Sequence, residues 1–203
     1  MGFFDQLKRQ AESAIKREAT KAINNAVKDA TAAIGKGRNR DERFTFSALP
    51  MNLEQLKAMP EASLDSAFKT TALTMAALCR FEASPEDAFA MLAFLKGPAE
   101  FNNKEKQLIT EKLKGKAYKA RSFFNGATPE NGYAPSAPYT IIVSENPYSF
   151  DEENWATLYV TSSGADNARP IKLRKKPSTG QWFLNDIQCL SDIRIPVSED
   201  PWA

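Results

Sequence analysis

The sequence predicts an α+β protein, in which a long N-terminal amphipathic helix precedes a helical half of about four helices packed on a C-terminal antiparallel β-meander. Two observations predict this class. Apolar residues recur every three or four positions over residues 3–34 and again between residues 52 and 113, which is the spacing of amphipathic helices. From Tyr139 onwards the period changes to two, in short β-branched or aromatic runs typical of strands. Helices that come ahead of an antiparallel sheet indicate the α+β arrangement.

The composition indicates one globular domain with an appendage. The chain has 203 residues, of which 42% are hydrophobic, and this is enough for one well-buried core. Its 27 basic and 25 acidic residues leave a charge of +2, so the whole-chain charge predicts neither nucleic acid nor an anionic membrane as partner. Two cysteines and the lack of a signal-peptide pattern in the first ten residues predict a cytoplasmic location. The longest nearly apolar stretch, residues 72–79, is too short to span a membrane.

The first element is a helix over residues 3–34, because neither proline nor glycine interrupts the apolar stripe there. At about 1.5 Å per residue, such a helix is too long for so small a domain to cover. We therefore expect the stripe to mediate oligomerisation or docking to another protein, since alanine-rich stripes allow helix backbones to approach closely. The residues that define this interaction helix are Phe4, Leu7, Ala11, Ile15, Ala22, Ile23, Ala26 and Ile34.

A membrane surface is the alternative partner of the same helix. Six basic residues flank the stripe and would face anionic lipid headgroups: Lys8, Arg9, Lys16, Arg17, Lys21 and Lys28. However, most of the stripe is alanine, and four acidic residues (Asp5, Glu12, Glu18 and Asp29) offset four of these charges. The sequence therefore favours a protein partner over a membrane.

A charged linker is predicted over residues 35–43, where two glycines are followed by a dense run of charges. The globular domain is predicted over residues 44–203. Its first half should contain helices over residues 52–59, 64–79, 84–95 and 102–113. Asn52, Ser84 and Asn102 or Asn103 are the predicted N-terminal caps, because their side chains can accept hydrogen bonds from the first free backbone N–H groups.

The second half should form the meander. Strands are predicted over residues 139–143, 156–161, 170–174, 181–184 and 187–195. The clearest hairpin loops are residues 162–167 and 177–180, which are rich in turn-forming residues. No strand is expected ahead of the helices.

Five segments of the globular part carry a resemblance to a known family: residues 68–73, 126–131, 145–148, 178–182 and 193–196. They resemble an uncharacterised bacterial domain-of-unknown-function family. The resemblance covers roughly residues 44–203 and implies that this stretch is one domain. It implies no catalytic residue, cofactor or partner, and the helix over residues 3–34 lies outside it.

The absence of histidine excludes several chemistries. The sequence contains none, which removes histidine-dependent hydrolysis and metal sites that use imidazole. It also has no nucleophile elbow, dinucleotide fingerprint or phosphate-binding loop. We therefore assign no catalytic, cofactor-binding or metal-binding residue and expect no cofactor. Carboxylate, tyrosine or lysine chemistry is the remaining enzymatic alternative.

A basic patch around one hairpin is the first candidate site in the globular part, with Trp182 and Phe183 close in sequence. Its residues are Arg169, Lys172, Arg174, Lys175 and Lys176. Cations with aromatic neighbours suit phosphates or single-stranded nucleic acid. The alternation of Lys172 and Arg174 with Ile171 and Leu173 is equally typical of a strand with one solvated face. The sequence favours that second interpretation, and nucleic acid is not expected as a partner.

A polar connection is the second candidate site. Tyr133, Glu145 and Tyr148 lie in or beside a long loop between the two halves, and paired carboxylates in such a loop can serve as acid and base. A calcium site is not favoured here, because the spacing of a calcium-binding EF-hand loop is absent. The turns around Pro129 and Pro147 are an equally good reason for polar residues in this loop.

Taken together, the sequence predicts a non-enzymatic cytoplasmic interaction protein.

Overall fold

The computed structural model describes residues 39–202. The interaction helix predicted over residues 3–34, with all eight residues that define it, lies outside the described residues. Within them the chain forms five α-helices: α1 (Leu53–Lys57), α2 (Ala67–Cys79), α3 (Pro85–Lys96), α4 (Asn103–Leu113) and α5 (Tyr118–Arg121). It also forms five strands: β1 (Arg40–Phe46), β2 (Tyr139–Glu145), β3 (Trp155–Val160), β4 (Arg169–Lys175) and β5 (Trp182–Ile187). The α+β class is thereby confirmed.

Side-chain caps start the first four helices at or near the predicted positions. Asn52 accepts a hydrogen bond from Gln55 N, and Ser84 accepts one from Asp87 N. Asn102 and Glu105 form a reciprocal capping box at the start of α4. Helix α2 begins later than predicted, at Ala67, because Leu64 has a left-handed backbone and Ser66 supplies the cap.

The five strands form one antiparallel sheet in the order β1-β2-β3-β4-β5. The meander of β2 to β5 confirms the prediction, but β1 corrects two others. Residues 40–43 belong to β1, not to the predicted linker, and a strand does precede the helices. Edge position explains why: β1 pairs only with β2, so charged Asp41 and Arg43 are exposed there and give the sequence the appearance of a linker.

The last predicted strand, over residues 187–195, is also wrong. Strand β5 ends at Ile187, and the chain continues as a loop with a left-handed turn at Asp192. Cys189, Leu190 and Ile193 of this loop are buried. The loop is apolar because it closes one end of the core, and a strand pattern cannot be distinguished from such a plug by periodicity alone.

Helix α2 is the centre of the core. It contacts all five strands, and most of its side chains are buried. Thr70 Oγ1 donates to the backbone carbonyl of Trp182 at 2.8 Å, which fastens α2 to β5. On the other face of the sheet, Lys172 and Arg174 are exposed. Residues 39–202 form a compact unit, and no helix among the residues described is long and apolar enough to cross a membrane.

Candidate binding cleft

A cleft of about 420 Å³ lies where the end of α3 meets one end of the sheet. Its walls come from the loop after α3, from the start of β3, from the end of β4 and from β5. Three of its lining residues, Arg174, Lys175 and Lys176, come from the basic patch predicted from sequence. Strand pairing therefore gathers part of that patch into a concave site.

The register of three strands places a cation between two aromatic residues. Arg174 lies opposite Trp155 on β3 and opposite Phe183 on β5. The Arg174 guanidinium carbon is 5.0 Å from the centroid of a Trp155 ring. This contact orients the planar guanidinium at the cleft while leaving the residue exposed.

The next two cations continue the positive charge through the last residue of β4 into the loop that follows. Lys175 Nζ lies 5.8 Å from the centroid of a Trp182 ring, and Lys176 is exposed in the loop that follows. Within residues 39–202, none of Arg174, Lys175 and Lys176 forms an ion pair. The one acidic lining residue is Glu153, which is exposed at the rim. The cleft therefore carries a net positive charge.

Lys96 forms part of the cleft wall, but its charge is already balanced. Its side chain is 6% exposed, and its Nζ donates to Glu105 Oε1 at 2.6 Å. It also lies within 3.4 Å of the backbone carbonyl of Asn185, a residue without a partner on β4 because β5 bulges there. Burial raises the pKa of the Glu105 carboxyl, but hydrogen bonds from Lys96 and the Asn102 backbone outweigh it and hold the pKa below its usual value. Lys96 thus joins α3, α4 and β5 structurally.

Gly97 sets the distance between the end of α3 and β5. Its φ of +65° favours glycine, and a Cβ at this position would overlap the Phe183 ring. The ring therefore packs directly on the backbone after α3. This close packing fixes one wall of the cleft.

The two remaining residues of the predicted patch lie away from the cleft. The Arg169 guanidinium donates to the Asp192 carbonyl at 2.9 Å, at the other end of β4. Lys172 lies opposite Asp186 on β5. Sequence reasoning missed Trp155 and Lys96, because only the register of β3 with β4 and the packing of α3 bring them to Arg174.

The loop residues predicted as a second site have separate environments. Tyr133 is fully buried, its ring stacks on Tyr118 at 5.5 Å between centroids, and its hydroxyl donates to the Arg194 carbonyl at 2.8 Å. Glu145 ends β2 opposite Arg40, and burial raises the pKa of its carboxyl while the Arg40 charge opposes that rise. Tyr148 is 74% exposed in the turn after β2. Their geometry gives no support to shared acid–base chemistry.

The thiols are also poor nucleophiles. Burial raises the pKa of both Cys79 and Cys189 to about 12, so neither forms appreciable thiolate near neutral pH. Over the described range there is no group of three or more acidic or cysteine side chains arranged to hold a metal ion. The concave, cation-lined cleft is the feature of this domain best suited to binding.

Comparison with known proteins gave a match to a protein-family model. No curated protein matches the chain, and no solved structure does. The family described as "Domain of unknown function (DUF6935)" matches residues 48–197. This match begins just after β1, spans all five helices and β2 to β5, and includes the entire cleft. The chain belongs to the DUF6935 family.

Proposed function

We propose that this is a non-enzymatic cytoplasmic interaction protein, whose N-terminal segment, residues 1–34, mediates self-association or docking to another protein. Through this contact the segment would bring the globular domain to the partner. The simplest form of the proposal to test is self-association, in which the apolar stripe binds the stripe of a second copy of the chain.

The observation that carries the proposal is that residues 39–202 form a compact unit with a core of their own. The buried hydrophobic residues of that core run from Phe44 to Ile193. The uninterrupted stripe over residues 3–34 must also find apolar cover if it forms the predicted helix, since exposed apolar stripes of this length mark interaction surfaces. An intermolecular contact supplies that cover.

Two further observations support a role without catalysis and a location in a reducing compartment. Tyr133 donates a structural hydrogen bond, and burial raises the pKa of both thiols to about 12. Neither cysteine is in a disulfide. Unpaired thiols are the usual state in the cytoplasm.

Light scattering coupled to size-exclusion chromatography tests self-association in the full chain. The change is Ile15→Glu with Ala26→Glu, which puts two charges into the stripe. The matched control is Ser13→Glu with Asn24→Glu, which adds the same charges at positions about half a turn away. We expect a defined oligomer for the unmodified chain and the control, and a monomer for the stripe variant. A monomeric unmodified chain would contradict self-association.

The alternative is a peripheral membrane protein that uses the same segment. The observation in its favour is the row of basic residues beside the stripe, from Lys8 to Lys28. Flotation with vesicles containing anionic lipid tests it in the same variants. Flotation of the unmodified chain and of the control, but not of the stripe variant, would replace the protein partner by a lipid surface.

A further inference from the structure

We propose that the cleft between the end of α3 and strands β3 to β5 binds a compact phosphate-bearing small molecule through Arg174, Lys175 and Lys176. This site is independent of the N-terminal segment. It requires only residues of the described domain.

The first step is that two of the cleft cations, Arg174 and Lys175, face aromatic and not acidic residues across the sheet. Elsewhere on the same hairpin each cation has an acidic neighbour: Arg169 is beside Asp192, and Lys172 is opposite Asp186. Lys96, in the cleft wall, is paired with Glu105. The three cations at the end of β4 form no ion pair within the described residues. An anionic ligand would supply the missing partner.

The second step is that Arg174 is already oriented for a tetrahedral or planar anion. Its guanidinium is held at 5.0 Å from a Trp155 ring centroid, so less side-chain freedom is lost when it binds. A guanidinium can donate two parallel hydrogen bonds to a phosphate, and lysine ammonium groups add point charges. Arg174, Lys175 and Lys176 all line the same cleft, and three cations there match a phosphate dianion or a polyphosphate better than a single carboxylate.

The third step concerns the size of the ligand. The cleft volume of about 420 Å³ lies within the range of small-molecule sites. A nucleic-acid strand would need cations along an extended path. A strand that followed the sheet would instead meet the carboxylate of Glu153 at the rim of the cleft and that of Asp186 opposite Lys172. The charge pattern therefore favours a compact phosphate compound over a polymer.

Calorimetric titration of the full chain with pyrophosphate and with adenosine triphosphate is the first experiment. We expect saturable binding of at least one of them at low salt. In nitrogen-15 correlation spectra, the indole N–H signals of Trp155 and Trp182 should shift with the same titration curve, because each ring contacts a cleft cation. Trp202, which is 93% exposed at the far end of the chain, should not shift.

A pair of matched variants then tests the geometry. Arg174→Gln and Lys172→Gln each remove one positive charge from the same strand and the same exposed face. We expect Arg174→Gln to weaken binding by about tenfold or more, since it removes a charge-assisted hydrogen bond. Lys172→Gln should change affinity by less than about twofold, because it alters only long-range charge. Lys176→Gln is a second cleft variant that does not depend on the Trp155 contact.

Several results would overturn the proposal. One is no saturable binding of either compound at millimolar concentration. A second is equal loss of affinity in Arg174→Gln and Lys172→Gln, which would indicate unspecific charge attraction. A third is much tighter binding of a thymidine oligomer of about 12 nucleotides, with Lys172→Gln weakening it, which would assign the surface to nucleic acid. Binding to phosphatidate vesicles without binding of the soluble compounds would assign it to a membrane.

Discussion

Tyr133 and Gly164 lie so close together that the tyrosine hydroxyl leaves no room for a side chain at position 164. A Cβ at Gly164 would overlap the Tyr133 hydroxyl and press on Ile193. That hydroxyl is held in place by its hydrogen bond to the Arg194 carbonyl. The loop after β3, the chain before β2 and the loop after β5 therefore meet at one side chain. Tyr133, which the sequence suggested as part of an acid–base site, holds these segments together through this contact and this hydrogen bond.

A double-mutant cycle at this contact should show strong coupling. Tyr133→Phe should lower the free energy of unfolding by about 1 kcal/mol, the value of one lost hydrogen bond. Gly164→Ala should lower it by about 1–3 kcal/mol through overpacking. In the double variant the hydroxyl is gone, so the loss should be smaller than the sum of the two single losses. Urea denaturation measures all three, and simple additivity would mean that the two residues do not touch.

Lys96 and Glu105 give a second prediction at this scale, in the pH dependence of stability. Lys96→Met should lower the free energy of unfolding by about 2 kcal/mol at pH 7, less than for a fully buried pair because the Glu105 side chain is 33% exposed. The pKa of Glu105 is below its usual value of 4.5 in the folded chain, so this stabilisation is present above that value and is lost as the pH falls through the folded pKa.

The difference between Lys96→Met and the unmodified chain should therefore shrink in acid. Thermal melts from pH 3 to pH 7 measure it, and Lys104→Met is a control on the same helix as Glu105, where the lysine is exposed and forms no ion pair among the described residues. A constant difference across this range would show that Glu105 does not carry the effect.

At the scale of elements, local sequence signals predicted the first four helices of the domain but missed the short α5 and the strand that lacks a local partner. Asn52, Ser84 and Asn102 could be identified as caps because capping needs only residues within one turn. Strand β1 could not be identified from local sequence, since its pairing partner β2 comes after the whole helical half. The start of α2 was displaced because the left-handed backbone of Leu64 has no sequence signature in a leucine.

The junction between α3 and β5 provides an element-scale prediction with an internal control. Gly97 and Gly115 have φ of +65° and +67°, but a Cβ at Gly97 would overlap Phe183 while one at Gly115 would meet nothing within 4 Å. Both alanine variants should lose about 1 kcal/mol from backbone strain, and Gly97→Ala should lose about 1–3 kcal/mol more. Chemical denaturation gives both values. Equal losses would mean that the ring moves aside freely.

At the scale of the whole molecule, the candidate cleft was only partly predictable. The cations at the end of β4 were visible as a patch, but the sequence alone could not divide them from Arg169 and Lys172. That division depends on which residues face them across the sheet, and the bulge at Asn185 shifts the facing residues on β5. Non-local register is not encoded in periodicity.

The buried thiols and tyrosine hydroxyls predict how the stability of the whole domain changes at alkaline pH. The thiols of Cys79 and Cys189 have their pKa raised to about 12 by burial, and burial also raises the pKa of Tyr118 and Tyr133. Because the folded pKa is the higher one, the stabilisation is complete below the unfolded thiol value of 9.0 and is lost as the pH rises towards 12. Melting temperature should therefore fall above about pH 9.

Thiol labelling checks the same burial independently. At pH 8 a disulfide reagent should react slowly with the folded chain and rapidly after denaturation. Cys79 should react before Cys189, since Cys79 is half-buried and Cys189 is fully buried. Immediate reaction of both thiols in the folded chain would contradict the buried environment.

The position of β1 has a consequence for synthesis on the ribosome. Among the described elements this strand leaves the ribosome first, yet the strand that it pairs with follows only after five helices have been translated. Until then Phe44 and Phe46 have no sheet to join, and the nascent chain presents an open strand to its neighbours. The charges of Asp41 and Arg43 discourage pairing with another chain during that interval. Translation stalled ahead of Tyr139 would yield a helical fragment prone to aggregate.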